Sequence, residues 1–480
     1  MPPAPDTARP NQVPLAVDLD GTLIRSDMMW ESLARLLRHK PLTALAAPLW
    51  LVRGRAYLKQ QLAAHVQVDP ASLPYHQEFL AWLREQKRAG RKLVLATASD
   101  IKMAEPIARH VGLFEEVLAS DGATNLRDKA KCEALTKKFG ARGFAYAGNS
   151  SVDLDVWRGA KEAVVVNARN GLRERAAKLA QVGPTFPNSG SFLVALIQAL
   201  RPHQWAKNLI VFVPLVTAHK LTFWPLLAGL GAFFALCCCA SGVYLLNDLL
   251  DLDADRHHPT KRNRPFASGR LPLQVGLLLS PLLLLIGGVV AWILTPHFAG
   301  LLAIYLLATS AYSWQLKRVA LLDVFILAGL YTLRLIAGHV VTDIAYSAWL
   351  LVFSMFIFLS LALLKRFPEL QELRRQKQDV ARGRGYTAND LELVATLGLV
   401  SGSLAVLVQA LYVNSEQVVR LYHHPTMLLL ACPLFLFWIS RIWFVAHRGQ
   451  MHTDPVVFVL KDWASYVVGA LTLLVVWLAT

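Results

Sequence analysis

The amino-acid sequence predicts a multi-domain protein, in which an α/β Rossmann-like domain with a small helical cap precedes an all-α membrane domain of nine transmembrane helices. Hydrophobic residues make up 55% of the 480 positions and charged residues only 17%, whereas soluble proteins carry about 25% charged residues. Up to about residue 190, short apolar runs alternate with charged helical stretches, as in a soluble α/β domain. From about residue 205, long apolar segments follow one another, as in a helical membrane protein.

Changes in composition along the chain predict the domain boundaries. Residues 1–11 are polar and Pro-rich without an apolar signal-peptide core, so we expect a disordered lead and a domain that stays in the cytosol. The α/β domain is predicted at 12–182, with its cap at about 24–88. The turn-forming junction and apolar FLVALIQAL of residues 183–200 predict a linker and an interfacial helix. The membrane domain is predicted at 201–480.

Nine apolar segments are long enough to be membrane-span candidates. They are 205–219, 223–248, 271–294, 298–314, 320–340, 346–364, 392–413, 426–446 and 457–479. The loops after the second, fourth, sixth and eighth segments are the basic ones, whereas the opposite loops offer only Lys220 and Arg420. The positive-inside rule therefore predicts an inner (plasma) membrane protein with a cytoplasmic N-terminal domain and an outside C-terminus. This topology accounts for the net charge of +16, and since no recognition motif appears we expect no nucleic-acid partner.

Two carboxylate residues stand at the end of the first predicted strand. In LAVDLDGT (15–22) an apolar run ends in Asp18 and Asp20, and alternate strand residues share one face. Because strand ends form the ligand crevice of a parallel sheet, both should face that crevice. An aspartate nucleophile beside an aspartate acid/base, with Mg²⁺ screening the phosphate charge, suits phosphoryl transfer.

Further motifs follow in order: the strand KLVLATAS (92–99), the helix opened by Lys129 and Lys131, and FAYAGNSSVDLDVW (144–157). Together these motifs resemble the haloacid dehalogenase-like phosphatases. The resemblance implies that Asp18 is the nucleophile and a Mg²⁺ ligand and that Asp20 is the general acid/base and also contacts the metal site. It implies phosphate binding by Thr97 or Ser99 and by Lys131 or Lys129. Asn149 and Asp153 complete the metal site, and Asn149 stands where the family often has Asp, which removes a negative charge from the site.

The insert that forms the cap is apolar and basic, with no acid between Glu31 and Arg55. Two interpretations stay open. The insert is either a cap packed on the sheet, or a surface that touches anionic lipid or the membrane domain.

Acidic residues cluster at the end of the second apolar segment. Residues 201–480 contain fourteen Asp or Glu, and Asp248, Asp251, Asp253 and Asp255 fall within eight positions. Asn247, Asp251 and Asp255 are spaced i, i+4, i+8, so with Asp248 they lie close to one helical face. Oxygen ligands gathered in this way suit a Mg²⁺ ion that takes its remaining ligands from the diphosphate of a substrate. Asp253 is expected to point into solvent.

The run NDLLDLDADRHHPTKRNRPFASG (247–269) resembles the first motif of the UbiA-type intramembrane prenyltransferases, and RPHQWAKN (201–208) also matches that family. Ordinary members carry a second acidic motif, DxxxD. In this chain Asp323 matches the first aspartate of that motif, but position 327, where the second would stand, is Leu. The nearby charged residues are instead the cations Arg334, Lys365 and Arg366. Cations in place of acids favour a phosphate-bearing ligand without a metal of its own.

This pattern, with YSWQLK (312–317), resembles the branch of the family exemplified by decaprenyl-phosphate phosphoribosyltransferase. The resemblance implies a polyprenyl phosphate acceptor, a phosphoribosyl diphosphate donor, and one Mg²⁺ in each domain. The implied metal ligands of the membrane domain are Asn247, Asp248, Asp251 and Asp255, and the three aspartates are also the implied catalytic residues. Lys207, Arg334 and Lys365, with Asn208, are candidates for the lipid phosphate, and Lys261, Arg262 and Arg264 for the donor phosphates. Tyr312 and Lys317 are either site residues or interfacial anchors.

Two alternatives to a bifunctional enzyme stay open. One is a prenyltransferase that uses a prenyl diphosphate and a soluble aromatic acceptor, and the other is a phosphatase-like domain that serves only as a scaffold. A homo-oligomer also stays open.

Overall fold

The computed structural model describes residues 13–121, 125–168, 171–187, 190–377, 379, 384–451, 454–459 and 461–480. The predicted disordered lead, residues 1–11, lies outside them. The chain forms two compact units: the first combines the residues up to Leu200 with Tyr244–Pro281, and the second combines Arg201–Val243 with Leu282–Thr480. Residues 244–281, which we expected in the membrane domain, thus belong to the first unit.

Six strands form one sheet in the first unit. They are β1 (Leu15–Val17), β2 (Leu93–Asp100), β3 (Glu116–Ser120), β4 (Ala145–Gly148), β5 (Glu162–Ala168) and β6 (Gln181–Pro187). Their spatial order is β3-β2-β1-β4-β5-β6, and all pairs are parallel. The chain moves from β1 outward to β3 and then returns to the other side of β1, so the topological switch point lies between β1 and β4.

Apolar side chains cover both faces of the sheet. Leu15 and Val17 belong to one buried cluster, and Ala16 and Tyr146 to another, as alternation along a strand requires. The helices of this part are α1 (Met28–His39), α2 (Pro41–Ala44), α3 (Ala47–Val52), α4 (Arg55–His65), α5 (Gln77–Arg88), α6 (Ile101–Val111), α7 (Lys129–Phe139), α8 (Leu154–Gly159), α9 (Leu172–Ala177) and α10 (Phe192–Leu200). The predicted Rossmann-like domain is confirmed.

The predicted cap, residues 24–88, contains two kinds of helix. Helices α1–α4 share a small buried cluster that includes Leu36, Leu58 and Leu62. Helix α5 instead contributes Phe79 and Leu83 to the cluster beneath the sheet. The part of the insert that folds around its own core is therefore α1–α4.

Short helices α2 and α3 expose apolar side chains. Leu42, Leu45, Leu49 and Val52 are between 70% and 85% exposed. Exposed apolar patches mark interaction sites, so the interpretation of the insert as a surface for anionic lipid or the membrane domain stays a prediction.

Among the described residues, the remaining helices include eight long apolar ones and four short ones. They are α11 (Val213–Thr217), α12 (Phe223–Leu250), α13 (Leu252–His257), α14 (Leu273–Leu294), α15 (Pro296–Trp314), α16 (Leu322–Thr342), α17 (Ala348–Arg375), α18 (Leu391–Val413), α19 (Glu416–Leu421), α20 (Ala431–His447), α21 (Pro455–Val459) and α22 (Trp463–Ala479). The long apolar helices are α12, α14–α18, α20 and α22, and the short ones are α11, α13, α19 and α21. Short 3₁₀ helices cover Pro70–Ser72, Ser151–Asp153, Pro202–Phe212, Lys261–Asn263, Leu316–Arg318, Ala388–Asp390 and Pro425–Leu430.

Six helical stretches among the described residues are long and apolar enough to cross a membrane, so the predicted nine are not confirmed. The six are Phe223–Leu250, Leu273–Leu294, Leu322–Thr342, Ala348–Arg375, Ala388–Val413 and Pro425–His447. The predicted span 205–219 forms part of the 3₁₀ stretch Pro202–Phe212 and the five-residue α11, which is too short to cross a membrane. The span 298–314 forms α15, which begins with Pro296 and His297. The last forms α21 and the 17-residue α22.

Candidate functional site

The first candidate site lies at the carboxyl end of the sheet. Asp18 and Asp20 follow β1, and Asn149 follows β4. With Lys131 of α7 they line one crevice with a volume of about 270 Å³. The crevice opens beside the switch point of the sheet, where α/β proteins bind their ligands.

Asp18 and Lys131 form a buried ion pair. The Lys131 Nζ lies 2.8 Å from Oδ1 of Asp18 and donates a second hydrogen bond of 2.9 Å to the Tyr146 hydroxyl. Burial raises the pKa of Asp18 to about 7, although the charge of Lys131 acts in the opposite direction. One lysine thus leaves the anionic form of Asp18 short of positive charge, and a metal cation would supply it.

Asp20 is held by two hydrogen bonds at the edge of the same crevice. The backbone N–H of Met28 donates to Oδ1 at 2.8 Å, and the Ser99 hydroxyl donates to Oδ2 at 2.7 Å. Burial, helped by the negative charge of Asp27, raises the pKa of Asp20 to about 6. A carboxyl group with such a pKa suits a general acid/base at neutral pH.

The two candidate phosphate-binding hydroxyls on β2 have different partners. Thr97 is fully buried, and its Oγ1 accepts a hydrogen bond of 3.0 Å from the backbone N–H of Ser99. Ser99 instead contacts Asp20 directly. The structure therefore brings Ser99, the rival of Thr97, to the predicted acid/base.

Asp153 shapes the loop that carries Asn149. Its Oδ2 accepts from the backbone N–H groups of Asn149 and Ser150 at 2.9 and 2.8 Å, and its Oδ1 accepts from the Tyr146 hydroxyl at 2.9 Å. Direct metal ligation by Asp153 would compete with these bonds. The Asn149 side chain lies against Gly21, where an added Cβ would stand 2.0 Å from Nδ2, so only glycine fits there.

The crevice offers oxygen donors for a Mg²⁺ ion. Within the described ranges no three His, Cys, Asp or Glu side chains form a ready metal cluster. Asp18, Asp20 and the amide of Asn149 nevertheless line the same crevice, and carboxylate and amide oxygens are the donors that Mg²⁺ prefers. The residues present therefore fit the ion, with one negative charge fewer than a third aspartate would give.

A larger cavity of about 640 Å³ shares Asp20 and Asn149 with the crevice. Its other wall includes Trp30, Arg270 and Leu273. Leu273 is the first residue of α14, one of the helices apolar enough to span a membrane. Asp20, the predicted acid/base, thus shares a cavity with the start of helix α14.

The second candidate site is the acidic stretch at the end of α12, which also lies in the first unit. Helix α12 ends at Leu250, and α13 begins one residue after Asp251, so the predicted single helical face is interrupted there. The hydrogen bonds from Asp251 N to Asn247 O and from Asp255 N to Asp251 O, 2.9 and 2.8 Å, still preserve the four-residue spacing.

Asp248 and Asp255 share one cation. Both are almost fully buried, and both accept from Nη1 of Arg264, at 3.0 and 2.8 Å. The Arg264 guanidinium therefore lies between two predicted Mg²⁺ ligands. The carboxylate oxygens of Asp248 and Asp255 are of the kind that Mg²⁺ prefers. Arg264, a candidate for the donor phosphates, contacts these carboxylates, whereas Lys261 and Arg262 lie in an exposed 3₁₀ turn.

Arginines of α1 contact the other two aspartates of this stretch. Arg38 lies 2.5 Å from Asp251, and Arg35 lies 2.6 Å from Asp253. We expected Asp253 to point into solvent; its side chain is 39% exposed and also pairs with Arg35.

The third candidate site is a basic cluster in the second unit. Nζ of Lys207 and Nζ of Lys365 each lie 3.0 Å from the same oxygen, Oδ2 of Asp454. The Lys207 Nζ lies 6.0 Å from the centroid of the Tyr331 ring, and the Arg334 guanidinium lies 5.4 Å from the same centroid. Three predicted lipid-phosphate ligands thus gather with one carboxylate, which leaves excess positive charge.

Arg334 is fixed in place by the predicted site residue Asn208. Its Nε donates to Asn208 Oδ1 at 2.8 Å, and its Nη2 donates to the Tyr305 hydroxyl at 2.7 Å. Asn208 in turn contacts the Cys237 sulfur at 3.3 Å. The guanidinium is therefore held in one orientation.

Asp323 is neutralised inside the second unit. Nε of Arg366 donates to its Oδ2 at 2.7 Å, and the Tyr386 hydroxyl donates to its Oδ1 at 2.5 Å. Nη2 of Arg366 also donates to the Tyr312 hydroxyl at 2.8 Å. Tyr312 therefore belongs to this network, while Lys317 lies in the adjoining turn Leu316–Arg318.

Sequence reasoning missed Asp454, the shared partner of Lys207 and Lys365. A signal existed, since Asp454 is one of only fourteen acids after residue 200. Its neighbours along the chain match no motif, however, and only the fold brings it to the two lysines.

Comparison with known proteins identifies both parts. Residues 209–480 match the family model described as the UbiA prenyltransferase family. The chain belongs to the UbiA prenyltransferase family. Residues 15–158 match the haloacid dehalogenase-like hydrolases, so this UbiA-family chain carries an N-terminal hydrolase domain of that type. Both resemblances inferred from the motifs are confirmed.

The chain is similar to three proteins of differing names. Uncharacterized protein y4nM of Sinorhizobium fredii is 38% identical over 467 residues, which are 96% of this chain and 90% of that protein. Nodulation protein NoeC of Azorhizobium caulinodans is 37% identical over 56% of this chain and 88% of its own length. Decaprenyl-phosphate phosphoribosyltransferase of Mycolicibacterium smegmatis is 37% identical over 45% of this chain and 69% of its own length.

Proposed function

We propose that the membrane domain transfers a 5-phosphoribosyl group from phosphoribosyl diphosphate to a polyprenyl phosphate, and that the N-terminal domain then removes the 5-phosphate. The observation that carries the proposal is the basic cluster around Asp454. Lys207, Lys365 and Arg334 provide three positive charges against one carboxylate, so the cluster suits the phosphate of a lipid. The relative in Mycolicibacterium smegmatis bears a name with the same donor group and acceptor class.

The neutralised Asp323 supports an acceptor that brings no metal of its own. The buried ion pair with Arg366 and the hydrogen bond from Tyr386 occupy both carboxylate oxygens. Recruiting Asp323 to a metal would take from the buried Arg366 the nearer of its two carboxylate partners and leave it only Glu369, at 3.2 Å, which is costly. A second metal-bound diphosphate is therefore disfavoured at this position, and a lipid monophosphate held by cations is favoured.

The donor is assigned to the acidic stretch at the end of α12. Asp248, Asp251 and Asp255 supply carboxylate oxygens, and Asn247 supplies an amide oxygen, for a Mg²⁺ ion that, when bound, neutralises the diphosphate and favours its departure. Arg264, next to these carboxylates, is placed to hold a phosphate oxygen. A lipid phosphate oxygen forms the new bond to ribose C1 as the bond from C1 to the diphosphate breaks.

The phosphatase step uses the two carboxyl groups of the crevice. The Asp18 carboxylate attacks phosphorus of the 5-phosphate, forming an acyl phosphate, and protonated Asp20 gives its proton to the departing ribose oxygen. Asp20 then takes a proton from the water that hydrolyses the acyl phosphate, which releases inorganic phosphate. Lys131 neutralises negative charge beside Asp18 during both steps.

The cavity beside Asp20 supports a lipid-linked substrate for this domain. Its wall includes Arg270 and Leu273, at the start of membrane helix α14, so a ligand in the cavity meets that helix. A phosphatase on the same chain as the transferase encounters the product at high effective concentration. We place both activities at the cytoplasmic face of the inner membrane, following the positive-inside pattern.

The proposal is tested with purified protein in lipid, supplied with ribose-labelled phosphoribosyl diphosphate, Mg²⁺ and a polyprenyl phosphate. We expect label to enter the lipid fraction. As a control, omission of the polyprenyl phosphate should leave the lipid unlabelled. Prenylation of an aromatic acid from a prenyl diphosphate, without any ribosyl transfer, would refute the proposal and favour an ordinary prenyltransferase.

A further inference from the structure

Helix α1 of the hydrolase domain carries three charged residues on one side, and each contacts the acidic stretch at the end of α12. Glu31, Arg35 and Arg38 are spaced i, i+4, i+7, which places them on one helical face. Their partners are Arg256, Asp253 and Asp251, in that order. All of these residues lie in the first unit.

The inner part of this contact is a buried clamp, formed by Glu31, Arg35 and Arg256, and Arg35 also pairs with Asp253, whose side chain is 39% exposed. Arg256 donates two hydrogen bonds to Glu31, at 3.0 and 2.6 Å, and Arg35 donates a third at 2.5 Å. Glu31 is fully buried, and Arg35 and Arg256 are nearly so. Buried charges that satisfy one another tolerate little movement, so the clamp fixes α1 against the acidic stretch.

The outer part of the contact is of a different kind. Arg38 binds Asp251 at 2.5 Å and also donates to the carbonyl oxygen of Leu250. Both side chains are exposed, 42% for Arg38 and 47% for Asp251. Exposed ion pairs contribute little stability, so Arg38 can leave Asp251 at low cost while the clamp keeps α1 in place.

A diphosphate bound at this stretch meets Arg38. When a cation takes the Asp251 oxygen, Arg38 loses its carboxylate partner, and the arriving phosphates offer a stronger one, since a guanidinium binds phosphate with two parallel hydrogen bonds. The guanidinium groups of Arg38 and Arg264 would then both change their partners, from aspartate carboxylates to phosphates of the donor. Both hold the carboxylates in the absence of the donor.

We propose that Arg38 is a donor-binding residue of the transferase, supplied by the cap of the hydrolase domain. The hydrolase domain thereby completes the site for the diphosphate as well as processing the product. This inference rests on the proposed assignment of the diphosphate to Asp248, Asp251 and Asp255. It does not depend on phosphatase activity or on the identity of the acceptor.

The test compares Arg38→Ala and Arg38→Lys with Arg84→Ala, a control at an exposed arginine of α5. We expect Arg38→Ala to raise the KM for phosphoribosyl diphosphate about tenfold or more, with kcat changed less than about threefold. Arg38→Lys should restore part of the loss, and Arg84→Ala should behave as wild type. The Tm of the purified protein should be unchanged in all three variants, which shows that the first unit is folded.

A binding measurement separates this inference from the proposed reaction. Inorganic diphosphate is the leaving group of any diphosphate donor, so its affinity with Mg²⁺ reports on Arg38 even if no ribosyl group is transferred. We expect Arg38→Ala to weaken diphosphate binding about tenfold or more. Unchanged or tighter binding, or a lower kcat with an unchanged KM, would overturn the proposal and leave Arg38 as a mere counter-ion of Asp251.

Discussion

Replacement of Glu31 by Gln should destabilise the first unit strongly. Burial alone would raise the pKa of Glu31, but the charges and hydrogen bonds of Arg256 and Arg35 lower it to about 2. Because the ordinary value is 4.5, the folded protein favours the ionised form by about 3 kcal/mol. The neutral amide removes that stabilisation and leaves two buried arginines short of a counter-charge, a change that typically costs about 3–5 kcal/mol.

This loss of stability is measured by thermal unfolding of the purified protein. For a unit of this size about 1 kcal/mol corresponds to about 2–4 °C, so we expect Glu31→Gln to lower Tm by about 10 °C. Glu85→Gln, an exposed glutamate on α5, is the matched control and should leave Tm within about 1 °C.

The pH dependence of Tm gives an independent check. Because folding lowers the pKa of Glu31, its stabilising effect is complete above about pH 4.5 and is lost as the pH falls toward 2. Wild type should therefore lose more stability than Glu31→Gln between pH 5 and pH 3, and their Tm values should converge. An equal Tm for the two proteins at pH 7, or a gap that widens on acidification, would refute the argument.

Four further substitutions test the candidate sites. Asp251→Asn and Asp255→Asn should each lower the rate of ribosyl transfer at least about a hundredfold in the labelling assay while the protein stays folded. A near-normal rate in both variants would show that these aspartates hold no catalytic Mg²⁺. Lys131→Met should lower p-nitrophenyl phosphate hydrolysis at least about a hundredfold, and an unaltered rate would exclude its role at Asp18. Lys207→Gln should raise the KM for the polyprenyl phosphate about tenfold with an unchanged KM for the donor, and the reverse pattern would move Lys207 to the donor site.

The sequence predicted the Rossmann-like domain well because its signals are local. A strand such as LAVDLDGT shows its burial, its end and its turn within a few residues, and parallel pairing then places Asp18 and Asp20 at one edge. The membrane segments were predicted less well. Apolar length alone does not show that residues 205–219 form 3₁₀ structure and a five-residue helix instead of one regular span.

Contacts between residues far apart in the chain could not be predicted in the same way. The partner of Asp253 is Arg35, which lies 218 positions earlier in the chain, and no periodicity connects the two residues. Asp454 likewise meets Lys207 and Lys365 only through the fold. The sequence indicated that the insert is basic, but it could not say which carboxylates the basic side chains reach.

The central claim, two consecutive reactions on one lipid, is tested most directly with a doubly labelled donor. Phosphoribosyl diphosphate carries ¹⁴C in the ribose and ³²P in the 5-phosphate, and the protein is supplied with a polyprenyl phosphate and Mg²⁺. Wild type should place ¹⁴C in the lipid and release ³²P as inorganic phosphate. Asp18→Asn should place both labels in the lipid at an undiminished rate of transfer, because only the Asp18 nucleophile is lost. Identical lipid products from the two proteins would contradict the account and leave the N-terminal domain without a role in processing the product.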